Sequence, residues 1–93
     1  MKEIKNVTVL GAGAMGAQIA ALAAEAGYNV KVRDIEDRFL ERGRQTIKDM
    51  YEKRISRGRM SPKSRDEIIG RIKFLVDLKE AVRDADIVIE AVP

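Results

Sequence analysis

The stretch that decides the fold reads Gly11-Ala12-Gly13-Ala14-Met15-Gly16 and directly follows a short apolar run. That run, residues 6–10, is rich in β-branched residues and predicts a strand. Residues 15–26 are rich in alanine and predict a helix. Residues 29–34 predict a second strand that ends on Asp34. Strand, glycine turn, helix, strand and acid in this order predict a βαβ unit that binds a dinucleotide.

Each glycine of the turn has a different predicted role. Gly11 lets the chain leave the strand in a tight turn. The missing side chain of Gly13 lets the backbone approach a pyrophosphate, and Gly16 lets the helix pack closely against the sheet. The N-terminus of the helix then presents free N–H groups to the phosphates. The alternative is a tight strand-to-helix turn that binds no ligand.

Asp34 indicates which dinucleotide is bound. At the carboxyl end of the second strand, its carboxylate would accept hydrogen bonds from the adenosine ribose hydroxyls. The same negative charge repels a 2′-phosphate, which favours NAD over NADP. Arg33 and Arg38 lie nearby in the sequence and would favour that phosphate instead. We expect Asp34 to dominate, so the predicted cofactor is NAD.

The rest of the chain continues the alternation of helices and strands. The further predicted elements are helix 37–57, helix 62–72, strand 73–76, helix 78–85 and strand 86–92. The long second helix carries an apolar stripe of Phe39, Gly43, Ile47, Met50 or Tyr51, and Ile55. Right-handed crossovers then give an α/β fold of the Rossmann type, a doubly wound parallel sheet with strand order 3-2-1-4. The cofactor cleft is expected where the order reverses, between strands one and four.

Composition restricts the chemistry that the chain can perform. With 93 residues it forms one small domain at most, and its 45% hydrophobic and 35% charged residues are typical of a soluble globular protein. Without cysteine or histidine it lacks thiolate ligands, the commonest metal ligand and the commonest general base, so we expect no metal site. No apolar run is long enough to span a membrane and no signal peptide is recognisable, so a cytoplasmic location is expected.

The net charge of +3 is mild, and its excess is concentrated in one stretch. The cations of this stretch are Lys53, Arg54, Arg57, Arg59, Lys63 and Arg65. Nucleic-acid binding is disfavoured because aromatic residues do not alternate with these cations. A solvated helix end is the simplest interpretation of the cluster.

The chain resembles the NAD-binding domain of the 3-hydroxyacyl-CoA dehydrogenases. The resemblance lies in residues 11–20, in the acid of residues 32–35 and in residues 85–92, and it extends over essentially the whole chain. β-Hydroxyacid dehydrogenases and ketopantoate reductases have similar glycine turns but generally lack the long helical excursion before the third strand. A non-catalytic module that binds NAD is a further alternative.

The resemblance implies an enzyme that oxidises a (3S)-hydroxyacyl-CoA to the 3-ketoacyl-CoA and passes a hydride to NAD. It implies an acyl-CoA substrate, a homodimer, and a His–Glu pair that lies beyond these residues, so no catalytic residue is expected here. Residues 1–93 would then be the N-terminal part of the domain, without its later strands and the C-terminal helical domain. The residues expected to contact NAD are Gly11, Ala12, Gly13, Ala14, Met15, Gly16, Asp34, Ile35, Ala91, Val92 and Pro93. The residues expected to contact CoA phosphates are Arg54 and Arg57.

The same architecture predicts an exposed strand edge. In the complete fold, strand four would lie between strands one and five. In residues 1–93 alone, Ile87-Val88-Ile89 would form an unpaired edge without proline or lysine to block association. Thr8, Leu10, Val88 and part of strand three would lack full helical cover. We therefore expect residues 1–93 alone either to self-associate through strand four or to pack loosely and bind NAD poorly.

Overall fold

A computed structural model describes residues 3–92 of the chain. The elements follow one another as β1 (Asn6–Leu10), α1 (Ala14–Glu25), β2 (Asn29–Arg33), α2 (Asp37–Ser56), α3 (Pro62–Ile69), β3 (Ile72–Leu75), α4 (Leu78–Val82) and β4 (Ile87–Glu90). The four strands form one parallel sheet in the order β3-β2-β1-β4. The predicted fold class and strand order are therefore confirmed.

The helix boundaries follow local capping signals. α1 ends as expected before Gly27, whose φ of 99° is a left-handed conformation that favours glycine. α3 begins with Ser61, whose hydroxyl accepts a hydrogen bond from the Ser64 N–H at 3.1 Å. Its predicted extension through Ile72 is wrong, because α3 stops at Ile69 and Ile72 pairs with Val30 as the first residue of β3.

The last two elements are shorter than predicted. α4 spans Leu78–Val82 instead of 78–85, and β4 spans Ile87–Glu90 instead of 86–92. Asp77 caps α4 as expected, because its carboxylate accepts a hydrogen bond from the Glu80 N–H at 2.9 Å.

The hydrophobic core lies between the sheet and α1 and α2. Four alanines of α1 are fully buried, which brings this helix close to the strands. The buried residues of α2 are Leu40, Gly43, Ile47 and Tyr51. The predicted stripe is thus correct from Gly43 to Tyr51, but its first member is Leu40, and Phe39 is only partly buried.

The other face of the sheet holds α4 through hydrogen bonds to backbone carbonyls. The Thr8 hydroxyl donates to the carbonyl oxygen of Ala81, and the Lys31 ammonium donates to that of Glu80 at 3.0 Å. The expected exposure of Thr8 is wrong: its exposed fraction is 1% because α4 covers it. These bonds explain why β1 and β2 carry the polar side chains of Thr8 and Lys31 on this face.

Among residues 3–92 no helix is both long and apolar enough to cross a membrane. Nor do those residues bring three or more histidine, cysteine or acidic side chains together in a group that could bind a metal ion.

Candidate functional site

The glycine turn forms one wall of a cleft at the carboxyl edge of the sheet. The cleft has a volume of about 590 Å³ and lies where the strand order reverses between β1 and β4. Its lining residues are Gly11, Ala12, Gly13, Ala14, Met15, Asp34, Phe39, Arg42, Ala91 and Val92. The structure therefore brings together most of the residues predicted to contact NAD. Of the other three, Gly16 is buried beneath the turn, Ile35 is 61% exposed, and Pro93 lies outside the described residues.

The three glycines of the turn meet different surroundings. Gly11 has a φ of +114°, and a Cβ built on it would lie 3.0 Å from Cγ1 of Val92. A Cβ on Gly16 would lie 1.9 Å from the carbonyl oxygen of Gly11, so α1 packs against the turn only because this side chain is missing. A Cβ on Gly13 would meet nothing within 4 Å, because Gly13 borders the open cleft. The turn therefore needs glycine for packing at two positions and leaves space for a ligand at the third.

The N-terminus of α1 is suited to bind an anion. Its N-cap residue is Gly13, so no side chain caps the first N–H groups, and the first turn contains no acidic residue. Uncapped N–H groups and the helix dipole favour a phosphate at this position. The pyrophosphate of a dinucleotide fits this end of the cleft.

Asp34 joins the end of β2 to the turn. Its Oδ2 accepts a hydrogen bond from the Ala12 N–H at 2.8 Å, and its Oδ1 accepts one from the Ile35 N–H at 2.7 Å. An ionised carboxylate has about four acceptor sites, so each oxygen retains capacity for another donor. Two ribose hydroxyls fit that remaining capacity.

The arginines that would favour a 2′-phosphate are engaged elsewhere. The Arg33 Nε donates to the carbonyl oxygen of Val76 at 2.8 Å. Arg38 forms an exposed ion pair with Glu36 at 3.1 Å. With Arg33 and Arg38 engaged in these bonds, the negative charge of Asp34 in the cleft favours NAD, and Arg42 is the cation that lines the same cleft.

Two cleft residues, Phe39 and Arg42, were not predicted from the sequence. The guanidinium carbons of Arg38 and Arg42 lie 4.8 Å and 5.8 Å from the centroid of the Phe39 ring. The helical period of α2 does not distinguish Phe39 from Leu40 as the core residue. Because Leu40 is the one that is buried, Phe39 lies at the edge of the cleft.

The two residues predicted to contact CoA lie at the opposite end of α2. Arg54 pairs with Glu25 at 3.2 Å, and the Tyr51 hydroxyl donates to the same carboxylate at 2.8 Å. Burial, reinforced by this hydrogen bond, raises the pKa of Tyr51 above its usual range. Arg57 follows Gly43 by fourteen residues, which places it about 20 Å farther along the helix. The structure does not bring these arginines to the cleft, and their contact with CoA stays a prediction.

A second concavity, of about 460 Å³, follows the edge of β3. Ile47, Lys48, Ile72, Lys73 and Phe74 are among its lining residues. None of the residues predicted to contact NAD or CoA lines this second concavity.

The parallel sheet, the glycine turn and the acid at the end of β2 define a dinucleotide-binding α/β domain. The family model described as "3-hydroxyacyl-CoA dehydrogenase, NAD binding domain" matches residues 6–93. The chain belongs to this family, and its cofactor is NAD.

Relatives of known name agree with this assignment. The chain is 38% identical over 84 residues to a probable 3-hydroxybutyryl-CoA dehydrogenase of Deinococcus radiodurans, covering 90% of this chain and 30% of the relative. It is 33% identical to a glyoxysomal fatty acid beta-oxidation multifunctional protein of Brassica napus, covering 98% of this chain and 12% of that protein. The crystal structure of (S)-3-hydroxybutyryl-CoA dehydrogenase from Ralstonia eutropha matches with a TM-score of 0.94 and 31% identity, covering 98% of this chain and 32% of that one. The chain thus spans about a third or less of each of these proteins.

Proposed function

We propose that this domain supplies NAD for the oxidation of a 3-hydroxyacyl-CoA to the 3-ketoacyl-CoA. The observation that carries the proposal is the open N-terminus of α1 beside the Asp34 carboxylate, in a domain of the 3-hydroxyacyl-CoA dehydrogenase family. The names of the Deinococcus and Ralstonia relatives support the substrate class.

In this proposal the cleft residues bind and orient the cofactor. NAD, when bound, accepts a hydride from the carbon that carries the substrate hydroxyl. The N–H groups at the start of α1 hold the pyrophosphate, and Asp34 holds the adenosine ribose. Ala91 and Val92, which directly follow β4, line the same cleft. In this proposal they border the nicotinamide half. The family resemblance implies that a His–Glu pair transfers the proton of the substrate hydroxyl, and residues 1–93 contain no histidine.

The oligomeric state and the cellular location are also proposed. The family resemblance supports a homodimer for a protein of the relatives' length. A cytoplasmic location is proposed as well.

A chimera tests the proposed activity. Residues 1–93 would replace the matching part of the Ralstonia enzyme, whose fold there is nearly the same. We expect the chimera to form NADH when 3-hydroxybutyryl-CoA and NAD are supplied, and to lose most of that activity on Asp34→Ala. Thermal unfolding establishes that both proteins are folded. A folded chimera that binds NAD but oxidises no 3-hydroxyacyl-CoA would contradict the proposed substrate class.

The same chimera tests the CoA contact predicted for Arg57. If its guanidinium meets a CoA phosphate, Arg57→Ala raises the KM for acyl-CoA and leaves the KM for a short pantetheine thioester nearly unchanged. Arg59→Ala is the matched control, since Arg59 is an exposed arginine of the same turn. Equal effects on both thioesters, or none, would support a solvated helix end instead.

A further inference from the structure

α2 approaches the dinucleotide turn closely at Gly43. Gly43 is buried, and a Cβ built on it would lie 2.9 Å from the carbonyl oxygen of Ala12 and 3.2 Å from the Ala12 Cβ. A Cβ atom essentially never lies less than 3.0 Å from a non-bonded heavy atom of a residue distant along the chain. The atom in the way belongs to the backbone, so no side-chain rotation can relieve the contact.

Ala12 is also held by β2. Its N–H donates to Oδ2 of Asp34 at 2.8 Å, and only 2% of Ala12 is exposed. Ala12 is therefore held on two sides, by the hydrogen bond that it donates to Asp34 and by its contact with the backbone of α2 at Gly43. The next residue, Gly13, is exposed at the cleft and is the N-cap residue of α1.

We propose that Gly43 is a positioning residue for NAD. By lacking a side chain it lets α2 rest against Ala12, and this contact sets where Gly13 and the first N–H groups of α1 meet the pyrophosphate. The inference rests on the NAD site described above, and it adds a residue of α2 that does not line the cleft.

Gly43→Ala provides the test, because the same substitution ordinarily stabilises a helix interior. Here the added Cβ must push α2 and the turn apart. We expect NAD to bind about tenfold more weakly or worse, a loss of about 1.4 kcal/mol per tenfold. The control is Gln45→Ala on the exposed side of the same helix, which should bind NAD like the unmodified chain.

Two readouts separate positioning from a general loss of stability. In the ligand-free chain, Gly43→Ala should shift the backbone amide signals of Ala12 and Gly13 more than those of β3. With saturating NAD, the ³¹P signals of the bound pyrophosphate should move relative to those in the unmodified chain. Neither change is expected for Gln45→Ala.

The outcomes distinguish this inference from the NAD site itself. If the unmodified chain binds no NAD, the assignment of the cleft and this inference both fail. If the unmodified and Gly43→Ala chains bind NAD equally and give the same ³¹P signals, only the role of Gly43 is overturned. Should Gly43→Ala fail to fold, Ala12→Gly removes the Ala12 Cβ, which is the side-chain part of the contact, and keeps the carbonyl oxygen. It should weaken NAD binding in a folded chain, and an unchanged affinity would contradict the proposal.

Discussion

Asp34 combines two tasks in one carboxylate. It accepts hydrogen bonds from the Ala12 and Ile35 N–H groups, and it lines the cleft in which a ribose fits. The sequence motif predicts the ribose contact, because an acid at the end of the second strand is typical of NAD sites. It does not predict the bond to the glycine turn, which depends on how closely the turn approaches β2.

Asp34→Ala should weaken NAD binding by one to two orders of magnitude. The substitution removes charge-assisted hydrogen bonds that contribute about 1.5–3 kcal/mol, and it frees the Ala12 N–H as well. Asp34→Asn is the matched control: its amide oxygen can still accept from Ala12, so we expect a smaller loss. Calorimetric titration measures both, and equal affinities for all three chains would contradict the assignment of Asp34.

Gly13→Val and Gly16→Ala should fail in different ways. At Gly13 the backbone has an ordinary φ of −69° and open space, so the variant should fold but block the pyrophosphate. At Gly16 even a methyl group would collide with the Gly11 carbonyl, so that variant should lose stability. Urea unfolding and NAD titration on both chains check this. A Gly13→Val chain that binds NAD normally would show that the turn has only a structural role.

At the scale of elements, the sequence predicts the helix ends that are set by capping and turn residues close by in the chain. The glycine turn, the Ser61 cap and Gly27 place three helix ends correctly, because each acts within a few residues. The boundary between α3 and β3 instead depends on sheet pairing. Ile72 fits the helical period of α3, but it belongs to β3 because it pairs with Val30 of β2. Phe39 and Leu40 likewise fit the α2 stripe equally well by period, and packing against the core selected Leu40.

Tyr51 of α2 is buried and hydrogen-bonds to Glu25 at the end of α1. Because of this tyrosine, the free energy of unfolding should decrease at alkaline pH. The pKa of Tyr51 is raised in the folded state, because burial disfavours the phenolate and the Glu25 carboxylate accepts its proton in a hydrogen bond. The unfolded chain therefore releases this proton first, near a pH of about 10. Tyr51 makes its full contribution to the free energy of unfolding below that pH. The contribution decreases as the pH rises above it, by up to about 1.4 kcal/mol per pH unit.

Tyr51→Phe isolates this contribution. The unmodified chain should have a higher free energy of unfolding than the variant at pH 8, and the difference should shrink as the pH rises above about 10. Urea unfolding at several pH values measures the difference, in which titration of the other groups cancels. A difference that stays constant up to pH 11 would contradict the buried hydrogen bond to Glu25.

For the whole molecule, we expect the edge of β4 to govern self-association. Among residues 3–92, β4 pairs only with β1, and its Ile87 and Val88 are 38% and 47% exposed. We expect the chain to self-associate at high concentration and Val88→Lys to reduce association, because a lysine on an edge strand opposes pairing. Leu22→Lys is the control, since Leu22 is 63% exposed on α1 and lies on no strand edge. Sedimentation measures this, and a concentration-independent monomer would contradict the prediction.

The candidate site as a whole was predictable to the extent that it follows the βαβ motif. The turn, Asp34 and the end of β4 were identified because parallel strands bring their carboxyl ends to one edge of the sheet. Phe39, Arg42 and the contact of Gly43 with the turn were missed, since they depend on the rotation of α2 about its axis. A shift of one residue along a helix rotates the side-chain direction by about 100°, which is enough to change which side chains of α2 line the cleft.

A titration of the chain with NAD, followed by backbone amide NMR, tests whether the dinucleotide binds in the cleft beside the glycine turn. We expect saturable shifts at Gly13, Ala14 and Met15, at Asp34 and at Ala91, with weaker binding of NADP. Shifts that appear instead around Lys48 and Lys73, along the edge of β3, would contradict the assignment of the NAD site to this cleft. So would the absence of any shift at the glycine turn.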